Sequence, residues 1–131
     1  MILYINTIKD NADKIEVKII RDQKELASRV VSARAEQSEK LIPAITKLLR
    51  DTKINITEIQ QIEVENYGGS FTSLRIGVSS ANALGYALQI PVVGVVKAEK
   101  SALAKLPFSV AEPMYNRNPD ITVSKKNLVG N

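Results

Sequence analysis

Apolar and polar positions change their period several times along the chain, and each change marks a new element. Residues 2 to 5 form a short apolar run that ends at Asn6, which reads as a buried strand. In Ile15, Val17 and Ile19 the apolar residues alternate with Glu16 and Lys18, the period of two expected of a half-solvated strand. Leu26 to Val31 is the next strand, and the polar stretch Arg21-Asp22-Gln23-Lys24 between them has hairpin length. The first three strands are therefore expected to run as an antiparallel meander.

From Ser38 the period lengthens: Leu41, Ile42, Ile45, Leu48 and Leu49 fall at the spacing of an amphipathic helix. Pro43 lacks a backbone N–H and is tolerated within the first turn, so the pattern predicts a helix starting near Glu39 or Lys40, or one kinked at the proline. Ile62 to Glu65 reads as a strand, and residues 72 to 89 as a second long helix with Leu74, Val78, Ala81, Leu84 and Leu88 on one side. Gly77, Ala81 and Gly85 recur every four residues in it, leaving a groove into which a neighbouring backbone can approach closely. Pro91 to Val96 reads as a buried parallel strand, and a third helix is expected over about 98 to 105. After Pro107 the periodicity dissolves among Pro113, Asn116, Asn118 and Pro119. The expected organisation is an α/β lobe over residues 1–106, with a mixed sheet and element order β-β-β-α-β-α-β-α, followed by an extended tail over 107–131.

Composition narrows the chemistry. With 131 residues, 44% of them apolar, the chain can bury one sizeable core. It has no cysteine and no histidine, which removes thiolate chemistry, the commonest general base and the commonest zinc ligand. The lack of cysteine and of any long apolar run suits a cytoplasmic protein with no membrane contact. The net charge of +4 is not gathered into a basic arm, because Lys9, Lys14, Lys18 and Lys24 alternate with Asp10, Asp13, Glu16 and Asp22.

The sharpest local feature is the turn Gly68-Gly69-Ser70, which ends a strand and opens a helix at Phe71-Thr72-Ser73-Leu74-Arg75. Free N–H groups at such a helix start can cradle an anion, with Gly69 and Ser70 in the turn and Arg75 one turn inside. The same residues are equally explained if Ser70 or Thr72 caps the helix and Arg75 ties carbonyls or carboxylates of the lobe together.

Gly69-Ser70-Phe71-Thr72 through Leu74-Arg75-Ile76-Gly77, with Ala81, Gly85, Ala87-Leu88 and Ile90-Pro91-Val92, resembles the signature of the TsaB (YeaZ) family. Met1-Ile2-Leu3 through Asn6-Thr7 resembles that family's opening strand, and Ser38-Glu39-Lys40-Leu41-Ile42-Pro43 its first helix. The resemblance implies a single lobe of the actin-like ATPase (ASKHA, RNase H-like) fold, cytoplasmic, with no cofactor and no metal. Its implied role is a non-catalytic scaffold for the enzyme TsaD in making threonylcarbamoyladenosine in tRNA. The implied partners are a TsaD-like enzyme, a TsaE-like ATPase, tRNA through the complex, and a second copy when the chain is alone. Pairing in that family uses the two long helices, so Leu41, Ile45 and Leu48 with Gly77, Ala81, Leu84 and Gly85 are expected to form the partner surface. On that reading Ala81→Arg or Gly85→Leu should block pairing in a lobe that still folds.

Departures from the family are specific. Asn6 stands where the family's strand ends in an acidic residue, and an amide cannot neutralise Mg²⁺ as a carboxylate does. Ser73 stands where a glycine is usual. Pro113-Met114-Tyr115-Asn116-Arg117 resembles the tail that closes relatives carrying a second lobe, which suggests a lobe deletion that kept the tail. Two alternatives stay open: a nucleotide-binding enzyme of the same fold, and a direct tRNA binder using Lys97, Lys100, Lys105, Arg117, Lys125 and Lys126.

Overall fold

The computed structural model describes residues 1–96 and Ala111. Strand β1 (Ile2–Ile8) leads through α1 (Lys9–Ala12), a tight turn in which Asp10, Asn11 and Ala12 all have positive φ, into β2 (Lys14–Arg21). A two-residue loop, Asp22-Gln23, turns β2 into β3 (Lys24–Ser32). Both loop residues have φ near +60°, 52° and 66°, the conformation whose twist suits a hairpin between right-twisted strands. The expected meander is therefore present, with β1, β2 and β3 paired antiparallel in sequence order.

Helix α2 (Gln37–Thr52) and a single 3₁₀ turn at Ile56–Glu58 then carry the chain to β4 (Gln61–Val64), which pairs parallel with β1. Helix α3 (Phe71–Leu88) crosses back to β5 (Val92–Gly94), parallel to β4. The sheet order is β3-β2-β1-β4-β5. The expected third helix over 98–105 and the tail over 107–131 lie outside the described residues, apart from Ala111.

Alternation along the strands decides where the core lies. Leu3 and Ile5, then Ile15, Val17 and Ile19, then Ile62 and Val64 all point to one face and are fully buried. Both long helices pack on that face, α2 above β2 and β3, α3 above β1 and β4. Each buried aliphatic side chain contributes about 1.5–3 kcal/mol. The alternate positions Tyr4, Glu16, Lys18, Glu63 and Glu65 make the other face polar and half-exposed.

Helix α2 starts two to three residues before the start that Pro43 suggested. Two interactions fix the earlier start: the Glu36 carbonyl accepts from the N–H groups of Glu39 and Lys40, and the buried Gln37 donates its side-chain N–H to the Ala12 carbonyl. Pro43 thus lies beyond the first turn, where its missing N–H leaves the Glu39 carbonyl without a helical donor; both residues are exposed, so water can replace it. The helix ends at Lys53 in the left-handed conformation, its N–H bonded to the Arg50 and Leu49 carbonyls.

Candidate partner interface

The structure places the expected partner residues almost entirely inside the lobe. Leu41, Ile45 and Leu48 are only 1–3% exposed, and Ala81 not at all. Gly77 lies against the Thr7 side chain of β1, and Gly85 against Val92 and the Ile90 carbonyl at β5. A methyl added at either glycine would collide with those atoms. The small-residue groove is therefore already filled by the lobe's own sheet, and only Leu84 of the seven is left half-exposed. This corrects the expectation: the stripe that looked wide enough to face a partner is the one α2 and α3 spend on β1, β2, β4 and β5.

What remains on the outside is a different line of residues. Ile42, Thr46, Leu49 and Lys53, spaced four, three and four, run down one edge of α2, and Ile42 is 51% exposed. Together with Ile56 of the 3₁₀ turn and Leu84 of α3 they border an open hollow of about 600 Å³, which Ile45 floors and Arg50 and Asn55 also line. The hydrophobic spacing of α2 contained Ile42 and Leu49 from the start; what the sequence did not give was which edge of a five-residue stripe faces the sheet. Ile56 could not be found by period at all, since it belongs to a single turn.

The glycine turn serves structure. Ser70 is the N-cap of α3, its Oγ accepting from the Ser73 N–H at 3.0 Å. Gly69 has φ +69°, and a Cβ there would strike Ile8, so both conformation and space require glycine. Arg75 points away from the turn and stacks its guanidinium over Phe71 at 5.1 Å. The anion triad of Gly69, Ser70 and Arg75 is thus not brought together around one point. Asn6, in place of a metal-binding carboxylate, accepts from the Ile8 N–H at 2.8 Å and bends the end of β1.

Beside this turn a cleft of about 480 Å³ is lined by Asp13, Arg34, Ser38, Thr72 and Ile76. Its one cation, Arg34, is forked onto both oxygens of Asp13 at 2.9 and 3.2 Å. Among the described residues no three His, Cys, Asp or Glu side chains are grouped to hold a metal.

Two asparagines that the sequence reading passed over hold the chain on either side of β5. Asn66 is buried and exchanges two hydrogen bonds with the backbone of Val96, at 2.9 Å each. Asn82, on the flank of α3 away from α2, does the same with Ala111, at 2.9 and 2.8 Å, and Ala111 joins the core. A carboxamide offers a donor and an acceptor side by side and so pairs with an extended residue as another strand would. The only signal in the sequence is a polar residue at position 82 within an Ala-, Gly- and Leu-rich helix.

Tyr4 sits on the polar face of the sheet, donating to Glu65, with Lys18 over its ring at 5.3 Å. Burial foremost, then the hydrogen bond and charge of Glu65, push its phenol well above the ordinary value.

A five-stranded mixed sheet with a leading antiparallel meander and both long helices on one face defines an α/β lobe of the ASKHA type. The lobe superposes on YeaZ from Pseudomonas aeruginosa with a TM-score of 0.64 and 23% identity, covering 72% of this chain and 42% of that one. In sequence, a family model described as TsaD, tRNA N6-adenosine threonylcarbamoyltransferase, matches residues 26–119. The chain belongs to that family. It is 29% identical over 118 residues to the tRNA N6-adenosine threonylcarbamoyltransferase of Geotalea daltonii, covering 78% of this chain and 35% of the relative. It is also 29% identical over 86 residues to the tRNA threonylcarbamoyladenosine biosynthesis protein TsaB of Bacillus subtilis, covering 66% and 38%. The TsaB of Buchnera aphidicola is 28% identical over 95 residues, covering 72% of this chain and 43% of the relative. The chain thus spans well under half the length of these relatives. No helix among the described residues is long and apolar enough to cross a membrane.

Proposed function

We propose that this chain is a non-catalytic scaffold subunit in tRNA threonylcarbamoyladenosine biosynthesis, docking on a TsaD-like threonylcarbamoyltransferase through the outer face of α2 and α3. The carrying observation is the hollow between those helices, bordered by Ile42, Leu49, Ile56 and Leu84, in a lobe whose sequence relatives include TsaB proteins. A groove of aliphatic side chains left half-open on a helix pair is the kind of surface that a partner helix covers.

Several features support a scaffold over an enzyme. The chain has no histidine or cysteine, and the polar cleft at the start of α3 has its Arg34 and Asp13 engaged with each other and Ser70 engaged as a cap. Catalysis in a fold that closes two lobes on a nucleotide also needs a second lobe, which a lobe of residues 1–106 with a tail over 107–131 does not supply. On this reading tRNA and a TsaE-like ATPase are met through the complex in the cytoplasm, and a second copy covers the hollow when the enzyme is absent.

Co-expression with an affinity-tagged cognate threonylcarbamoyltransferase, followed by sizing, tests the proposal. The expected result is a stable complex that the double substitution Ile42→Asp, Leu49→Asp disperses. Absence of any complex, or co-purification of the double variant at full yield, would refute the proposed docking face.

A further inference from the structure

Most lysines and arginines of the lobe already have a carboxylate. Lys9 faces Glu16, Lys14 Asp10, Lys18 Glu25, Arg34 Asp13, Lys40 Glu36 and Lys47 Asp51, each within 4 Å. Arg50 and Lys53 break this habit: both are exposed, and neither has an ion-pair partner among the described residues. Both line the apolar hollow at the C-terminal end of α2. The hollow therefore has an aliphatic bed in Ile42, Leu49, Ile56 and Leu84 and two uncompensated cations at one end.

Position along the helix adds direction. The last turn of α2 carries the negative end of its dipole, which favours cations there, and the first turn of any helix favours carboxylates. A helix laid antiparallel against α2 brings its own first turn beside Arg50 and Lys53 and sets carboxylate against cation. A parallel helix would instead present its C-terminal end, where cations accumulate, and would repel them.

We propose that Arg50 and Lys53 determine which partner the hollow accepts: an amphipathic helix of the TsaD-like enzyme, antiparallel to α2, with one or more carboxylates in its first turn and an apolar ridge behind them. The inference rests on the docking face proposed above and adds the charge and polarity of what binds there. At the edge of an apolar contact such charges act on partner choice and association rate more than on total affinity, and their effect weakens as salt rises. A second copy of this chain also has carboxylates near the start of α2, at Glu36 and Glu39, so self-association is the competing occupant.

The test measures binding of the full chain to the cognate threonylcarbamoyltransferase by surface plasmon resonance at low and high salt, with sizing of the chain alone. Arg50→Glu with Lys53→Glu is expected to weaken the complex at least tenfold at low salt and to flatten its salt dependence. Arg50→Gln with Lys53→Gln, which avoids placing a negative charge at the helix C-terminus, is expected to fall in between. Lys47→Glu, outside the hollow, is expected to bind like the parent. Parental affinity and salt slope in both double variants, while Ile42→Asp still abolishes binding, would overturn the charge inference and leave the docking face standing. Parental affinity in Ile42→Asp as well would overturn both. Loss of self-association with unchanged enzyme binding would assign the cations to a second copy and overturn the inference.

Discussion

The two edges of helix α2 differ by one residue in sequence and by everything in environment. Leu41, Ile45 and Leu48 are sealed against the sheet, whereas Ile42 and Leu49, each one residue further on, border the open hollow. One residue is about 100° of helix rotation. An apolar stripe five positions wide is broader than a sheet can cover, so one edge goes to the core and the other is left for something else. In α3 the balance is different: Gly77, Ala81 and Gly85 let the helix sink onto Thr7 and Val92, and only Leu84 is presented toward the hollow.

The contrast is sharpest where a substitution must strike the inner edge. Ala81→Arg places a long cation where there is no exposure at all, and Gly77→Leu drives a side chain into Thr7; either is expected to cost about 4 kcal/mol or more and to unfold the lobe, read by urea denaturation. This reverses the expectation that such variants fold and merely fail to pair. Next in size, Asn82→Ala removes both hydrogen bonds to Ala111 and is expected to cost roughly 1–3 kcal/mol by the same measurement. Ser70→Ala removes the α3 cap and is expected to cost about 1 kcal/mol, a smaller loss than an anion-binding serine at a functional site would suggest.

A pH experiment probes the polar face of the sheet. The Tyr4 phenol is raised above its ordinary value of about 10, so the folded state holds that proton more tightly than the unfolded state. Its contribution is complete below about pH 10 and is lost as pH rises beyond it. The melting temperature of the parent is therefore expected to fall more steeply above that pH than that of Tyr4→Phe. Smallest of all, Ile42→Asp on the outer edge is expected to change stability by no more than ~0.5 kcal/mol, as surface positions do. A large loss there would mean that the outer edge belongs to the core after all.

Much of the fold was legible because it depends on period and on turn chemistry. The alternation in Ile15, Val17 and Ile19, the hairpin break at Asp22-Gln23 and the long stripes of α2 and α3 each fixed an element to within a few residues. The start of α2 was misplaced because the proline rule is local, whereas Gln37 is anchored by Ala12, twenty-five residues earlier. The interface was legible only in kind. Period shows that a helix has an apolar stripe, but the rotation of that stripe over the sheet is set by glycine-sized positions meeting Thr7 and Val92, a tertiary match that no single helix announces. Asn66 and Asn82 were missed for a related reason: a lone amide signals a backbone partner only once the partner is known.

Hydrogen–deuterium exchange of the full chain, with and without the cognate threonylcarbamoyltransferase, tests the docking face most directly. The account predicts slowed exchange at residues 42–56 and 80–88 on complex formation, with the β2–β3 hairpin unchanged. Slowing confined to the hairpin or the polar face of the sheet, with both helices unaffected, would contradict it.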